Sequence, residues 1–88
     1  KTHRGTKEKL MNRLRRVPKD FRWEELVRLF SLLGFSLDNK GKTSGSRVIF
    51  NNGNKTYITH KPHPGNLVKV YIVKQVLEYL KENNYIKD

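Results

Sequence analysis

Asn52-Gly53 is the strongest structural instruction in this chain. Both residue types tolerate positive φ, and the pair lies between two runs rich in β-branched and aromatic residues. Those runs are Arg47-Val48-Ile49-Phe50 and Thr56-Tyr57-Ile58-Thr59-His60. The pattern predicts an antiparallel hairpin with its turn over 51–55. Strand alternation sends Val48 and Phe50 to one side and Arg47 and Ile49 to the other. A further short strand is predicted over 35–38, followed by a polar loop over 39–46 that is rich in Gly, Lys and Ser.

Helical periodicity accounts for most of the rest. Leu10, Met11, Leu14 and Val17 form one stripe, with Arg13, Arg15 and Arg16 off it, which predicts a helix over 6–17. Residues 1–5 read as frayed. Pro18 stops the helix, because it lacks an N–H and disfavours helical geometry at Val17. Asp20 is the expected N-cap of a second helix, with Glu24 and Glu25 where the dipole favours negative charge. Trp23, Leu26, Val27, Phe30 and Leu33 give its apolar face. Gly34 ends it, and Phe35 stands where a Schellman-type end makes its apolar contact. Residues 61–66 hold two prolines and a glycine and form a loop. A last helix begins near Val70 with Ile72, Val73, Val76, Leu77 and Leu80 inward, and Tyr85 and Ile86 pack as its tail.

The order α, α, β, β, β, α predicts a small two-layer α+β domain. Its three-stranded antiparallel sheet has helices on one face and leaves the other face to solvent. Eighty-eight residues make one domain.

Charge narrows the partners. The chain carries 19 Lys and Arg against 8 Asp and Glu, a formal net charge of +11. A polyanion or an anionic surface is the natural counterpart. No acidic residue occurs from Asn39 to Leu77, a span holding Lys40, Lys42, Arg47, Lys55, Lys61, Lys69 and Lys74. Such a span implies one positive face that phosphates can approach. The absence of cysteine excludes disulfides, thiolate catalysis and cysteine-ligated zinc, and is consistent with the cytoplasm. No apolar run is long enough for a transmembrane helix, so no membrane partner is expected.

Candidate chemistry lies in Ile58-Thr59-His60-Lys61-Pro62-His63-Pro64. Imidazole titrates near neutrality and can move protons there. Cleavage of RNA needs a base for the 2′-OH, an acid for the leaving 5′ oxygen, and positive charge at the phosphorus. His60 fits the base. His63, Lys61 or Arg47 supplies the rest, and the guanidinium of Arg47 suits phosphate better than a point charge does. Read as a metal motif, His60 and His63 lack a third ligand nearby in sequence. His3, near the start, carries no role. Lys40-Gly41-Lys42-Thr43 has no helix after it and is not a phosphate-binding P-loop. No carboxylate is placed to orient a histidine toward a nucleophilic serine. Three functions stay open at this point: a ribonuclease, a non-catalytic RNA- or DNA-binding module, and a basic protein whose partner is an acidic protein.

The chain resembles the HicA family of toxin ribonucleases. The likeness rests on Leu32-Leu33-Gly34-Phe35, Gly45-Ser46-Arg47-Val48-Ile49-Phe50, Thr59-His60-Lys61-Pro62-His63-Pro64 and the helix from Lys69 to Leu80. It implies a double-stranded-RNA-binding-domain-like core, α-β-β-β-α, over 20–88, with 1–19 as an N-terminal helical extension. It implies a metal-independent endoribonuclease acting on mRNA without any cofactor, and a HicB-type antitoxin that covers the active face. By this likeness the catalytic residues are His60 and His63, and Lys40, Lys42, Ser46, Arg47, Lys61, Lys69 and Lys74 contact RNA. Many members carry a histidine directly after the Gly-Ser pair, where this chain has Arg47. Either the imidazole has moved to the neighbouring strand, with His60 in its place, or the protein is weakly active or inactive. The start of the last helix, Asn66-Leu67-Val68-Lys69-Val70, has a thinner lysine cluster than modules that read duplex RNA.

Overall fold

The computed structural model describes residues 5–38, 47–62 and 65–86. The elements are α1 (Gly5–Arg15), α2 (Trp23–Leu32), β1 (Ser36–Asp38), β2 (Arg47–Asn51), β3 (Thr56–His60) and α3 (Val70–Glu82). This is the expected α+β order, with β1, β2 and β3 forming one antiparallel sheet in that sequence. The expected fraying of the first residues lies outside the described residues, except that Gly5 already belongs to α1.

Packing on the inner face of the sheet is aromatic. Phe50 of β2 stacks on Phe30 of α2 at 4.3 Å and meets Trp23 at 6.1 Å. Tyr57 of β3 stacks on Phe30 at 5.5 Å and meets Tyr79 of α3 at 4.5 Å. Burying each such ring stabilises the fold by about 1.5–3 kcal/mol. In α3, Ile72, Val73, Val76 and Leu80 are buried, and in α2 Leu26 and Leu29 complete the core. Helix α1 packs against α2 and α3 through buried Leu10 and Leu14.

The helix ends follow local chemistry. At the end of α2, Gly34 has φ +94, its N–H donates to Ser31, and the Phe35 N–H donates to Phe30 at 2.9 Å. This is the Schellman end expected from Gly34, with the Phe30 and Phe35 rings 5.1 Å apart, edge to face. Helix α3 ends the same way with Asn84 at φ 62, where the Tyr85 N–H donates to Leu80 at 2.8 Å. Ile86 is buried just beyond, as expected of the tail.

Three local expectations are corrected. Helix α1 ends at Arg15, not Val17; Val17 takes φ 50, a left-handed conformation unusual for a β-branched residue. Asp20 does not cap α2. The N-cap is Arg22, whose backbone N–H donates to the Glu25 carboxylate at 2.9 Å, while Asp20 faces Arg13. In the hairpin only Gly53 takes positive φ, at 96. Asn52 acts instead through its side chain, whose oxygen accepts from the N–H groups of Asn54 at 2.8 Å and Lys55 at 2.7 Å. Such an Asx turn mimics a backbone turn and requires no strained φ.

Two long-range ties fix the helices to each other. Arg13 forks onto Glu25, with Nε to Oε2 at 3.0 Å and Nη2 to Oε1 at 3.1 Å, joining α1 to α2. Arg22 also pairs with Leu67 in an antiparallel bridge. The flanking bonds run from Trp23 N–H to Asn66 at 2.8 Å and from Val68 N–H to Phe21 at 2.7 Å. The segments leading into α2 and α3 thus form a miniature ribbon, with Phe21 and Val68 buried on its inner side.

Candidate nucleic-acid interface

Register decides which side chains share the open face. Across β2 and β3, Val48 pairs with Thr59 and Phe50 with Tyr57, and these point to the core. Arg47 with His60, Ile49 with Ile58 and Asn51 with Thr56 therefore point outward. From β1, Ser36 and Asp38 join the outer face opposite Asn51 and Ile49. Arg47 and His60 are exposed, Ile58 is 50% exposed, and Thr59 beside His60 is buried.

Arg47 and His60 are direct cross-strand partners, as expected from a hairpin whose strands begin and end there. Partners of this kind have Cα atoms about 4.5–5.5 Å apart, so a guanidinium and an imidazole can address one phosphodiester. Lys61 is exposed and follows directly. Lys69 is exposed at the N-cap of α3. Lys74 is exposed on α3, on the side of the helix away from buried Ile72, Val73 and Val76, so the core separates it from the open sheet face. His63, Lys40, Lys42 and Ser46 lie outside the described residues, as does His3.

Asp38 is the outer-face residue that sequence reading missed. Its pairing with Ile49 makes it a diagonal neighbour of Arg47 across β1 and β2. Only the β1–β2 register reveals this, because the polar loop separates the two residues in sequence. Among the described residues the outer face of the sheet thus sets one carboxylate beside the guanidinium of Arg47.

Tyr57 and Tyr79 are not proton carriers at neutral pH. Burial, and secondarily neighbouring Tyr79, push the Tyr57 hydroxyl up to about 12. Burial and then Tyr85 raise Tyr79 as well. Both rings serve the core. No group of three His, Cys, Asp or Glu side chains able to hold a metal ion comes together among the described residues. Among them, no helix is long and apolar enough to cross a membrane.

A family model described as "HicA toxin of bacterial toxin-antitoxin" matches residues 23–82, from the first residue of α2 to the last of α3. No curated protein and no solved structure matches the chain.

Proposed function

Because this chain belongs to the HicA toxin family, and so is the toxin of a toxin–antitoxin pair, we propose that it is a metal-independent endoribonuclease that cleaves mRNA. The observation that supports this most is the cross-strand pair of Arg47 and His60 on the open sheet face. His60 takes the 2′-OH proton, and the 2′ oxygen attacks the adjacent phosphorus. The bond from phosphorus to the 5′ oxygen breaks as a general acid protonates that oxygen, leaving a cyclic phosphate and a free 5′-OH. His63 is that acid in this reading. Arg47 holds the non-bridging oxygens as their charge grows.

Lys61 and Lys69 continue the phosphate contacts, with Lys40, Lys42 and Ser46 from the preceding loop, while Lys74, on the far side of α3, is left out of them. Imidazole and guanidinium supply both the proton transfer and the charge, so no metal or organic cofactor enters the mechanism. The substrate places the activity in the cytoplasm. Residues 20–88 form the catalytic core, and 1–19 are an extension that braces it through the fork of Arg13 onto Glu25.

The antitoxin is a HicB-type protein that covers the outer face. That face offers Ile49 and Ile58 beside the Arg47 and His60 pair, which suits an apolar contact with an acid at that end.

Cleavage of a long single-stranded RNA by wild type, His60→Ala and His63→Ala, with EDTA throughout, tests the reading. Cleavage by wild type alone supports it. RNA bound by all three and cut by none would make the chain a binding module whose activity went with the histidine that Arg47 replaced.

A further inference from the structure

The ribbon between Arg22 and Leu67 builds a second patch, outside the three-stranded sheet. The two residues form the pair without direct hydrogen bonds, since the bonds run between their neighbours. In such a pair the side chains are close and on the same side. Burial alternates along the strand: Leu67 is 50% exposed, Val68 is 2% exposed, and Lys69 is exposed again. Arg22, Leu67 and Lys69 therefore share the solvent side. Tyr71 stands in the first turn of α3 and is 57% exposed, the most exposed large apolar side chain among the described residues.

From these observations we infer that Arg22, Leu67, Lys69 and Tyr71 bind the flank of a single-stranded RNA, with a base stacked on Tyr71 and phosphates on Arg22 and Lys69. This rests on the reading that RNA is the ligand of the open face, and adds a subsite to it. An exposed aromatic among cations is the common platform for single strands, because every base has a stacking face. Of the nearby acids, Glu25 accepts the Arg22 N–H but its charge is met by the fork of Arg13, and Glu24 lines the groove between α1 and α2 with Lys9 and Arg28.

Two further points favour RNA over a protein partner. A stable protein interface buries at least about 1,000 Å², more than one leucine and one tyrosine provide. Position along the chain also matters. Seven residues lead from His60 to Leu67, a reach of at most about 25 Å, and because Tyr71 shares with Lys74 the side of α3 away from the core, a strand engaged at His60 wraps the start of α3 to reach it.

The test is direct binding, read separately from cleavage. Full-length His60→Ala is titrated with a fluorescein-labelled single-stranded RNA by polarisation, alone and with Tyr71→Ala, Tyr71→Phe or Arg22→Gln added. Tyr71→Ala should weaken binding about fivefold or more, and Tyr71→Phe should bind as the parent does. Arg22→Gln should lower the slope of log affinity against log salt by about 0.7, the value for one phosphate on a single strand. Parent-like binding by both Tyr71→Ala and Arg22→Gln overturns the inference. So does a Tyr71→Phe variant as weak as Tyr71→Ala, which would mean a hydroxyl contact and not stacking. Loss of affinity for an antitoxin with RNA binding intact would assign the ribbon to a protein. A wild type that binds RNA but never cuts it sinks the nuclease reading and leaves the ribbon standing. Cleavage by wild type with both variants binding normally does the reverse.

Discussion

Arg47 faces His60 across the β2–β3 ladder, as the terminal pair at the open end of the hairpin's register. The resemblance to the HicA family implies a histidine at the position of Arg47, and here an imidazole stands directly opposite it instead. Side chains of cross-strand partners share a face and nearly the same space. Exchange of the two groups across the ladder therefore changes the chain's order of residues more than it changes the surface that a phosphodiester meets.

His60→Ala should lower RNA cleavage by roughly 10²- to 10⁴-fold, the usual worth of a positioned acid or base. The side chain is exposed, so the fold should be retained, with an unchanged circular dichroism spectrum. Growth inhibition by the induced protein gives the same readout in cells. Full toxicity of His60→Ala at normal expression would remove it from the mechanism.

Arg47→Ala should cost roughly 10²-fold in turnover, by analogy with loss of one donor to a developing oxyanion. Arg47→Lys should recover part of this, since it restores the charge without the fork. The register makes a sharper demand. Arg47→His combined with His60→Arg should cleave better than His60→Ala, because it returns both groups to the face in exchanged places. Single-turnover rates on one RNA would show this. A swapped variant no better than His60→Ala would mean that the two positions are not equivalent.

The fork of Arg13 onto Glu25 predicts an acid-sensitive step in stability. Burial pulls the Glu25 carboxyl upward, but the Arg13 hydrogen bond, the Arg22 N–H and their charges outweigh it and hold the carboxyl below its ordinary 4.5. A depressed carboxyl stabilises the fold above its unfolded pKa, and that contribution is lost as pH falls through the folded value. At neutral pH, Glu25→Gln should be less stable by about 1 kcal/mol, modest because both partners keep some exposure. That corresponds to a melting shift of about 4–8 °C. The two melting curves should converge below pH 4.5. A constant gap down to acid pH would mean that the effect is packing, not charge.

Local signals in the chain carried local structure reliably. Gly34-Phe35 ends α2 as its chemistry requires, and alternation alone separated Val48 and Phe50 from Arg47 and Ile49. The facing of Arg47 and His60 was legible because a hairpin with a known turn has few registers. What stayed hidden depends on partners distant in sequence. Asp20 looked like a cap, but the ribbon with Leu67 extends the chain through Arg22 and moves the helix start beyond it. Asp38 reaches the outer face only through pairing with β2, and no periodicity announces the exposure of Tyr71 in the first turn of α3.

The hairpin tip should matter to the site at the far end of its strands. Asn52 holds the turn with its side-chain oxygen on the Asn54 and Lys55 N–H groups, and its amide nitrogen reaches the Tyr85 hydroxyl at 3.4 Å. Lys55 Nζ adds a bond to Asn83 Oδ1 at 2.8 Å, which fastens the tip to the end of α3. Asn52→Ala removes the Asn52 contacts, at about 0.5–1.5 kcal/mol for each well-made bond. Asn52→Asp keeps the acceptor oxygens and gives up only the long bond to Tyr85, so it should be the milder change by thermal melting. Register is the reason to measure activity as well. A slip of β2 by one residue would turn Arg47 toward the core and bring Val48 and Phe50 out. Buried Phe50 and Val48 oppose that slip, so Asn52→Ala should lose stability while the surviving folded protein keeps its turnover. A drop in turnover of the folded fraction would mean that the turn, and not the packed inner face, holds Arg47 opposite His60.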